Sequence, residues 1–275
     1  MKTVVHLACV ALVAALGCSR GNGGGGAEHS QKAGADAAKP ADSPAGETPS
    51  GSAAASGPTV ALSGKIHLIG EPPAPTPLKL DSDAHCASAH ADSPPVTEEV
   101  VVDAAGMLAN VFVYISSGLE GKSFTTPTTP AMLDQKGCMY MPHVLGMMPN
   151  QPLKVLNSDA TLHNVHSHPK VDGNKEFNLA MPRAGGESTR TFTKPEIMIP
   201  VRCDVHPWMV SYIGVVEHPF YAVTDRSGTF KITNLPPGTY TLEAWHEKYG
   251  VQTQTITVGE ASTVEIDFSY QAAGS

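Results

Sequence analysis

The sequence predicts an all-β protein, because apolar residues alternate with polar or small ones and turn-forming residues separate these runs. Val60, Leu62, Ile66 and Leu68 show the alternation clearly. Two further sets repeat it: Val111, Val113 and Ile115, then Phe177, Leu179 and Met181. No stretch sustains the 3.6-residue apolar period of an amphipathic helix. Pro and Gly are frequent between the runs, with 23 and 26 in the whole chain, which is typical of short strands joined by turns and long loops.

Length and charge limit the classes of function. At 275 residues the chain is long enough for one large domain or two of ordinary size. Lys and Arg number 18 against 26 Asp and Glu, which gives a formal net charge of −8. Because a polyanion partner needs a basic surface, we do not expect nucleic acid binding.

Residues 1–18 predict export. One Lys precedes an apolar run from Val4 to Leu16, which is too short to cross a bilayer and is typical of a signal peptide. The sequence Ala-Leu-Gly-Cys at 15–18 resembles a bacterial lipobox with Leu and Ala exchanged. This resemblance implies a lipoprotein-type signal peptide, with Cys18 as the lipidated first residue of the mature chain. Cleavage nearby by an ordinary signal peptidase is the alternative.

Residues 19–58 predict a disordered tether. They are rich in Gly, Ala, Pro and Ser and contain almost no large apolar residue, so burial cannot offset the entropy of ordering them. Such a tether would let a folded body reach partners some distance from a membrane. We therefore expect an exported, membrane-anchored protein of the periplasm or cell surface.

The number of cysteines in the folded body is odd, so they cannot all pair in disulfides within the chain. Cys9 leaves with the signal peptide and Cys18 is assigned to the lipid, so the folded body holds Cys86, Cys138 and Cys203. An exported compartment is oxidising, so either two of the three pair and one is occupied, or one is free and reactive. The simplest partition forms a Cys86–Cys138 disulfide and leaves Cys203 for a metal. Cys203 also follows Ile197, Ile199 and Val201 in alternation, which predicts an inward-facing sulfur at the end of a core strand.

The sequence changes character at about Pro219. Turn signals at 226–228 and 236–238 are followed by alternation at Val264, Ile266, Phe268 and Tyr270. The pattern of Asp, Gly and Phe, then Leu-Pro-Pro-Gly-Thr-Tyr, resembles the carboxypeptidase regulatory-like, transthyretin-like modules. This resemblance implies a small antiparallel β-sandwich at 219–275 that serves as a spacer or binding accessory. The stretch 64–115 either contributes strands to it or forms a further similar sheet.

One short loop holds three possible metal ligands: Cys203, His206 and Met209, each separated from the next by two residues. A thiolate, two imidazoles and a weak thioether make the trigonal copper site of electron-transfer proteins. Since loops from separate strands meet at the end of a sandwich, the second imidazole should come from a distant strand. His163 is the best candidate.

The two motifs together resemble a known family. Residues 203–209, Cys-Asp-Val-His-Pro-Trp-Met, and residues 163–166, His-Asn-Val-His, are similar to the motifs of amicyanin and related cupredoxins. The resemblance covers roughly residues 140–217 and implies a Greek-key cupredoxin sandwich with an N-terminal extension, at 59–218. It implies one type 1 copper ion with these ligands: His163, Cys203 and His206 in the trigonal plane and Met209 in the axial position. It also implies that Asn164 joins the two ligand loops by hydrogen bonding.

Other kinds of metal site fit the sequence less well. Zinc suits Cys and His, but zinc sites rarely include Met and usually gather more cysteines or a carboxylate. The pair at 166–168, His-Ser-His, is of the kind that holds trinuclear copper clusters, which need several such pairs. His85, His90 and His143 lie near Cys86 or Cys138, but their surroundings favour loop residues over a second metal site.

These features predict a carrier of single electrons and not an enzyme, because four protein ligands leave copper no position for a substrate. Pro207 and Trp208 should frame an exposed edge of His206 in an apolar patch where a redox partner docks. A periplasmic c-type cytochrome or a dehydrogenase is such a partner by family analogy. The alternative function is a cell-surface module that binds glycan or protein, with structural copper or none.

Overall fold

The structure is a computed structural model that describes residues 60–260 and 263–272. Strands dominate this part of the chain, which confirms the all-β prediction, and a six-residue helix interrupts them. No helix among these residues is long and apolar enough to cross a membrane. The predicted signal peptide at 1–18, the tether at 19–58 and the lipidated Cys18 lie outside the described residues.

In chain order the elements are β1 (Val60–Ile69), α1 (Ala84–Ala89), β2 (Phe112–Ser117), β3 (Ala131–Lys136), β4 (Met139–Met141), β5 (Val144–Met147), β6 (Leu153–Asn157), β7 (His163–Ser167), β8 (Asn178–Met181), β9 (Gly186–Arg190), β10 (Glu196–Arg202), β11 (Val210–Val215), β12 (Tyr221–Val223), β13 (Thr229–Leu235), β14 (Gly238–His246), β15 (Gly250–Val258), β16 (Val264–Glu265) and β17 (Phe268–Gln271).

Strands from both ends of the described chain form one sandwich, here called the terminal sandwich. One sheet has the order β13-β1-β16, with β17 also paired to β1, and the other has the order β12-β2-β14-β15. Ile66 on β1 lies opposite Phe268 on β17 in a parallel register, and both side chains are buried in the core between the sheets. Burial of such residues removes apolar surface from water and holds the two ends together.

The stretch 64–115 therefore contributes strands to the C-terminal module. β1 and β2 lie before the predicted boundary at 218/219, yet they pair with β12, β13, β14, β16 and β17, which lie after it. The segment from β3 to β11 is inserted between β2 and β12. Turn signals mark where strands end, but they carry no information about which strands pair, so the sequence alone did not place this insertion.

The inserted segment forms a second sandwich, here called the central sandwich. Its sheets have the orders β5-β11-β10-β7-β8 and β4-β3-β6-β9. Leu133 and Val155 from one sheet and Ile199 and Ile213 from the other are fully buried between them. Cys203 belongs to the same core cluster.

The two sandwiches meet on the outer face of β2. Phe112 on that face packs in a cluster with Val144, Met198 and Tyr221, while the opposite face of β2 lies in the core of the terminal sandwich. A Cβ atom at Gly214 would lie 2.7 Å from the Phe112 ring, so glycine permits this close approach. Because both faces of β2 are covered at its first four residues, these four are all apolar and not only at alternate positions.

The predicted alternation along β10 is wrong at its start. Ile197 is exposed, whereas Met198 is buried and adopts a φ of +62°. The pairing with β11 shifts between Glu196 and Ile199, which is the signature of a bulge that resets the facing of side chains. From Ile199 onward the alternation holds, so Cys203 lies on the inner face.

Candidate metal centre

The pairing of β7 with β10 brings the predicted ligands together. Ser167 lies opposite Val201 in this antiparallel pair, so His163 at the start of β7 lies near Cys203, which follows β10. The loop from Cys203 to Met209 then folds back on itself. The Cys203 N–H donates to the Met209 carbonyl at 3.2 Å, and the Met209 N–H donates to the His206 carbonyl at 2.9 Å. These bonds hold His206 above the end of the strand.

Three donor atoms converge in a buried pocket of the central sandwich. Nδ1 of His163 lies 2.8 Å from Nδ1 of His206, and the Cys203 sulfur lies 3.8 Å from the same His206 atom. The ligand atoms of these three residues all lie within 4.8 Å of one another. Each residue is at most 2% exposed, and Cys203 is a free thiol. Donors this close are within reach of one metal ion, given metal–nitrogen and metal–sulfur bonds of about 2.0 and 2.3 Å.

Met209 is fully buried and belongs to the same core cluster as Cys203. Its hydrogen bonds to the ligand loop are made by the backbone, which leaves its thioether uncommitted to them. The assignment of Met209 as an axial ligand stays a prediction.

Asn164 joins the two ligand segments. Its Oδ1 accepts the Asp204 N–H at 2.7 Å, and its Nδ2 donates to the Asp204 carboxylate at 2.9 Å. Its backbone N–H approaches the Cys203 sulfur at 3.5 Å. Asn164 therefore fixes the position of the sulfur relative to β7 and partly compensates negative charge on it.

The pKa shifts of His163, His206 and Cys203 favour one positive charge between the two imidazoles, next to a thiolate. Burial lowers the pKa of His163, but hydrogen bonding with Asp159 and the nearby Cys203 outweigh burial and raise this pKa to about 9. Burial and the charge of His163 lower the pKa of His206. Burial raises the pKa of Cys203, but hydrogen bonds from His163 and Asn164 outweigh it, so the net shift favours the thiolate. Protonated His163 thus donates to neutral His206, and a metal cation bound there would take the place of that proton.

A carboxylate lies behind each imidazole. Asp159 Oδ2 lies 2.9 Å from Nε2 of His163, and Asp83 Oδ2 lies 3.3 Å from Nε2 of His206. A carboxylate that accepts the Nε2–H fixes the tautomer and turns Nδ1 toward the centre, which is how outer residues orient metal-ligating histidines. Sequence reasoning missed both residues. Asp159, four residues before His163, was within reach of such reasoning, whereas nothing in the sequence connects Asp83 with a histidine 123 residues away.

The predicted disulfide between Cys86 and Cys138 is confirmed, and it supports both carboxylates. The N–H of Cys86 donates to Asp83 at 3.0 Å, and the N–H of Cys138 donates to Asp159 at 2.7 Å. The Cys86 sulfur also lies 3.9 Å from Nε2 of His206. One covalent link therefore joins the two backbone segments that hold the carboxylates.

The ionisation of Asp83 follows from these contacts. Burial would raise its pKa, but hydrogen bonds from the Cys86 N–H, the Thr161 hydroxyl and His206 outweigh burial and lower this pKa to about 2. Asp83 is therefore an anion at neutral pH. It also caps the N-terminus of α1 by accepting from the His85 and Cys86 N–H groups.

The predicted exposure of His206 is wrong. His206 is 1% exposed, because the segment around Asp83 and the disulfide covers the imidazole edge that was expected to face solvent. Pro207 is exposed and Trp208 is half-buried, so both reach the surface. The Trp208 ring lies 5.0 Å from the His206 ring, and its indole N–H donates to the Cys138 carbonyl at 3.0 Å.

The structure does not bring His85, His90 and His143 together as metal ligands, and two of them make other contacts. His90 Nε2 bonds the Gly137 carbonyl at 2.6 Å, and His143 Nε2 contacts the Glu247 carboxylate at 2.5 Å. In the part of the chain that the structure describes, no group of three potential ligands includes His85, His90 or His143.

Comparison with known proteins supports the fold of the C-terminal module. Residues 214–271 match the family model of the carboxypeptidase regulatory-like domain, as the motif at 219–275 implied. No curated protein matches the chain.

Parts of the chain are also similar to solved copper-protein structures. A Cu-containing nitrite reductase (NirK) from Thermus scotoductus SA-01 is 24% identical over 35% of this chain, with a TM-score of 0.30, and the chain spans only 24% of that protein. A purple cupredoxin from Nitrosopumilus maritimus is 23% identical over 31% of this chain and 99% of its own, with a TM-score of 0.27. An oxidized mutant of amicyanin is 20% identical over 38% of this chain and 98% of its own, with a TM-score of 0.29. TM-scores this low do not support a functional assignment, so any such assignment depends on the geometry of this chain.

Asp83→Asn should weaken metal binding by roughly 10–100-fold, the range typical of a lost outer partner of a metal-ligating histidine. Asparagine is as good a helix cap as aspartate, so α1 should persist while the charge behind His206 is removed. Competition with a chelator measures the change in affinity. Asp81→Asn, an exposed aspartate two residues away, is the matched control and should leave the affinity unchanged. Equal affinities in wild type and Asp83→Asn would mean that the negative charge of Asp83 behind His206 does not contribute to metal binding.

Proposed function

We propose that this protein is an exported, membrane-tethered type 1 copper protein that carries single electrons between periplasmic redox partners. The observation that carries the proposal is the convergence of two Nδ1 atoms and one thiol sulfur, from residues that are almost completely buried. Their residue types are the two histidines and one cysteine of the trigonal copper site, and Met209 follows in the same loop.

The donor set favours copper over zinc. A zinc site with two histidines and one cysteine usually gains a further cysteine or a carboxylate. Here the two nearby carboxylates, Asp83 and Asp159, contact the Nε2 atoms on the far sides of the imidazoles and not the Nδ1 atoms that converge. The other two cysteines among the described residues, Cys86 and Cys138, form the disulfide. A thioether is then the remaining soft donor of the loop, and soft sulfur donors suit copper.

The chain would contribute a rigid and dry pocket. Copper, when bound, supplies one-electron redox chemistry. The ligands are held on adjacent strands and by backbone bonds within the loop, so their positions change little when the charge of the site changes. Hydrogen bonds to the Cys203 sulfur and carboxylates behind both imidazoles keep the donors oriented without rearrangement.

The same burial supports a carrier and not an enzyme. His163, Cys203, His206 and Met209 are all at most 2% exposed, so a substrate would have no access to the centre. Four protein donors would also leave no open position on the metal.

Trp208 supports a docking surface beside the centre. It reaches the surface next to exposed Pro207 while its ring lies 5.0 Å from the His206 ring. Because His206 itself is covered, we assign the contact with a redox protein to this Pro207–Trp208 surface. A c-type cytochrome or a dehydrogenase of the periplasm fits this assignment by analogy alone.

Export and tethering are supported by the N-terminal sequence. The apolar run at 4–16, the lipobox-like sequence ending at Cys18 and the Gly- and Ala-rich stretch at 19–58 together favour a lipid-anchored body on a flexible arm.

Adding Cu(II) to the purified protein should give an intense visible band from thiolate-to-copper charge transfer, and Cys203→Ser should abolish it. Visible absorption spectroscopy measures both. His67→Ala, which removes a histidine from β1 in the terminal sandwich, is the matched control and should leave the band unchanged.

Met209→Gln tests the axial position in the same samples. It should keep a recognisable band and lower the reduction potential, because a harder oxygen donor favours the oxidised ion. A colourless wild type would contradict the proposal and favour the alternative of a surface binding module.

The mature wild-type chain should begin at lipid-modified Cys18 and partition with membranes, whereas Cys18→Ser should remain unlipidated. Mass spectrometry of the mature N-terminus and membrane fractionation measure these outcomes. A wild-type chain processed at another residue without lipid would disprove the tether, while leaving the copper proposal intact.

A further inference from the structure

The His-Ser-His pair at 166–168 is not used by the candidate metal centre, yet the structure places it in a ligand cluster of its own. His166 lies near the end of β7, His168 follows that strand and Glu176 precedes β8. Nε2 of His166 lies 2.7 Å from Oε1 of Glu176, and the two imidazole rings lie 4.1 Å apart. One donor atom from each of the three residues lies within 4.8 Å of the other two.

His166 is oriented in the manner of a metal ligand. Its Nδ1 lies 3.1 Å from both oxygens of Asp204, so Nδ1–H donates to this carboxylate and Nε2 is turned toward Glu176. Asp204 is itself fixed, because it accepts hydrogen bonds from the side-chain amides of Asn164 and Asn178 at 2.9 and 2.7 Å. A carboxylate behind a histidine that is held in turn by other donors is the usual outer shell of a metal-ligating imidazole.

His168 is fixed by a different segment. Its backbone N–H donates to the Pro200 carbonyl at 2.9 Å, which ties it to β10. The cluster thus draws on β7, on the residue that follows β7 and is bonded to β10, and on the segment before β8. His166 lies in a strand and His168 is held by its backbone bond to β10, whereas Glu176 is an exposed residue of the segment before β8.

A surface ion pair does not account for the cluster. An exposed His166–Glu176 pair would contribute at most about 1 kcal/mol and would need no third residue. His168 brings a second imidazole against the first, which is unfavourable when both are protonated and favourable when both donate to one cation.

Two other groups of three potential ligands contain Cys86 or Cys138, whose disulfide sulfurs are not thiolates.

We propose that His166, His168 and Glu176 form a second, solvent-accessible site for a divalent transition-metal ion. Two imidazoles and a carboxylate suit Zn(II), Ni(II) and Cu(II), of which Cu(II) binds such donors most tightly. Both histidines are half-buried and Glu176 is exposed, so an ion reaches the site directly from solvent and keeps water in its remaining positions. The site differs from the buried centre because it has no thiolate and is open.

The two sites share an intervening layer of hydrogen bonds. Asn164 contacts the sulfur of Cys203 on one side, and it donates to Asp204, the partner of His166, on the other. The second site therefore lies directly outside the buried centre, although each has its own complete set of donors. The proposal of this second site does not depend on the proposed copper function.

Calorimetric titration with Zn(II) tests the second site without oxidising the thiol. His168→Ala should bind one ion fewer than the wild-type chain, or bind that ion at least about 10-fold more weakly. Glu176→Gln, a conservative change at an exposed residue, should weaken the same ion and guards against misfolding of the first variant. His67→Ala is the matched control and should bind as the wild type does.

Repeating the titration in a Cys203→Ser/His206→Ala background separates the two sites. An ion that persists in this background and is lost when His168→Ala is added supports the second site, whether or not the buried centre binds copper. Unchanged stoichiometry and affinity in both His168→Ala and Glu176→Gln would overturn the proposal. An equal loss in His67→Ala would overturn it as well, because it would show binding to scattered histidines.

Discussion

The hydrogen bonds between two carboxylates and the Nε2 atoms of two imidazoles are the interactions on which the candidate centre depends. Asp159 accepts from His163 and Asp83 accepts from His206, so both rings present Nδ1 to the same point beside the Cys203 sulfur. Without these bonds each ring could rotate about its side-chain torsions and adopt either tautomer. The backbone N–H groups of the two disulfide-bonded cysteines anchor the carboxylates, so the Cys86–Cys138 link stabilises the geometry of the centre as well as the fold.

The order of elements along the chain explains how Asp83 reaches His206. β1 and β2 are fixed in the terminal sandwich by pairing with strands from the C-terminal end, and the segment between them carries α1. That segment crosses the end of the central sandwich, where the disulfide fastens it to Cys138. The terminal sandwich therefore has a role beyond that of a spacer, because it holds both ends of the segment that covers His206. The covered imidazole is shielded from solvent, and in the proposed function a redox partner would contact neighbouring Trp208 instead.

Much of the fold and several of the residues that converge at the candidate centre could be predicted, and the limits have physical reasons. The spacing of Cys203, His206 and Met209 is local, and the alternation at Ile199 and Val201 fixes the facing of the cysteine, so a short stretch of sequence carried this information. Ile197 was misplaced because a bulge at Met198 adds a residue to the strand without any turn residue to mark it.

The exposure of His206 and the role of Asp83 could not be predicted, because both depend on a contact between segments 123 residues apart. The joining of β1 and β2 to the C-terminal module was likewise open, since alternation shows that a strand has a buried face but not which sheet covers it. Residues close together in the sequence could therefore be assigned to the centre, whereas the position of Asp83 behind His206 depends on the long-range topology of the chain.

The most direct test of the central claim is X-ray absorption spectroscopy at the copper K edge, on the full-length protein loaded with no more than one equivalent of copper. We expect a first shell of two imidazole nitrogens and one short sulfur contact, because His163, His206 and Cys203 converge on one point. A first shell of nitrogen and oxygen alone, with no sulfur, would place the copper outside the buried pocket and rule out Cys203 as its ligand.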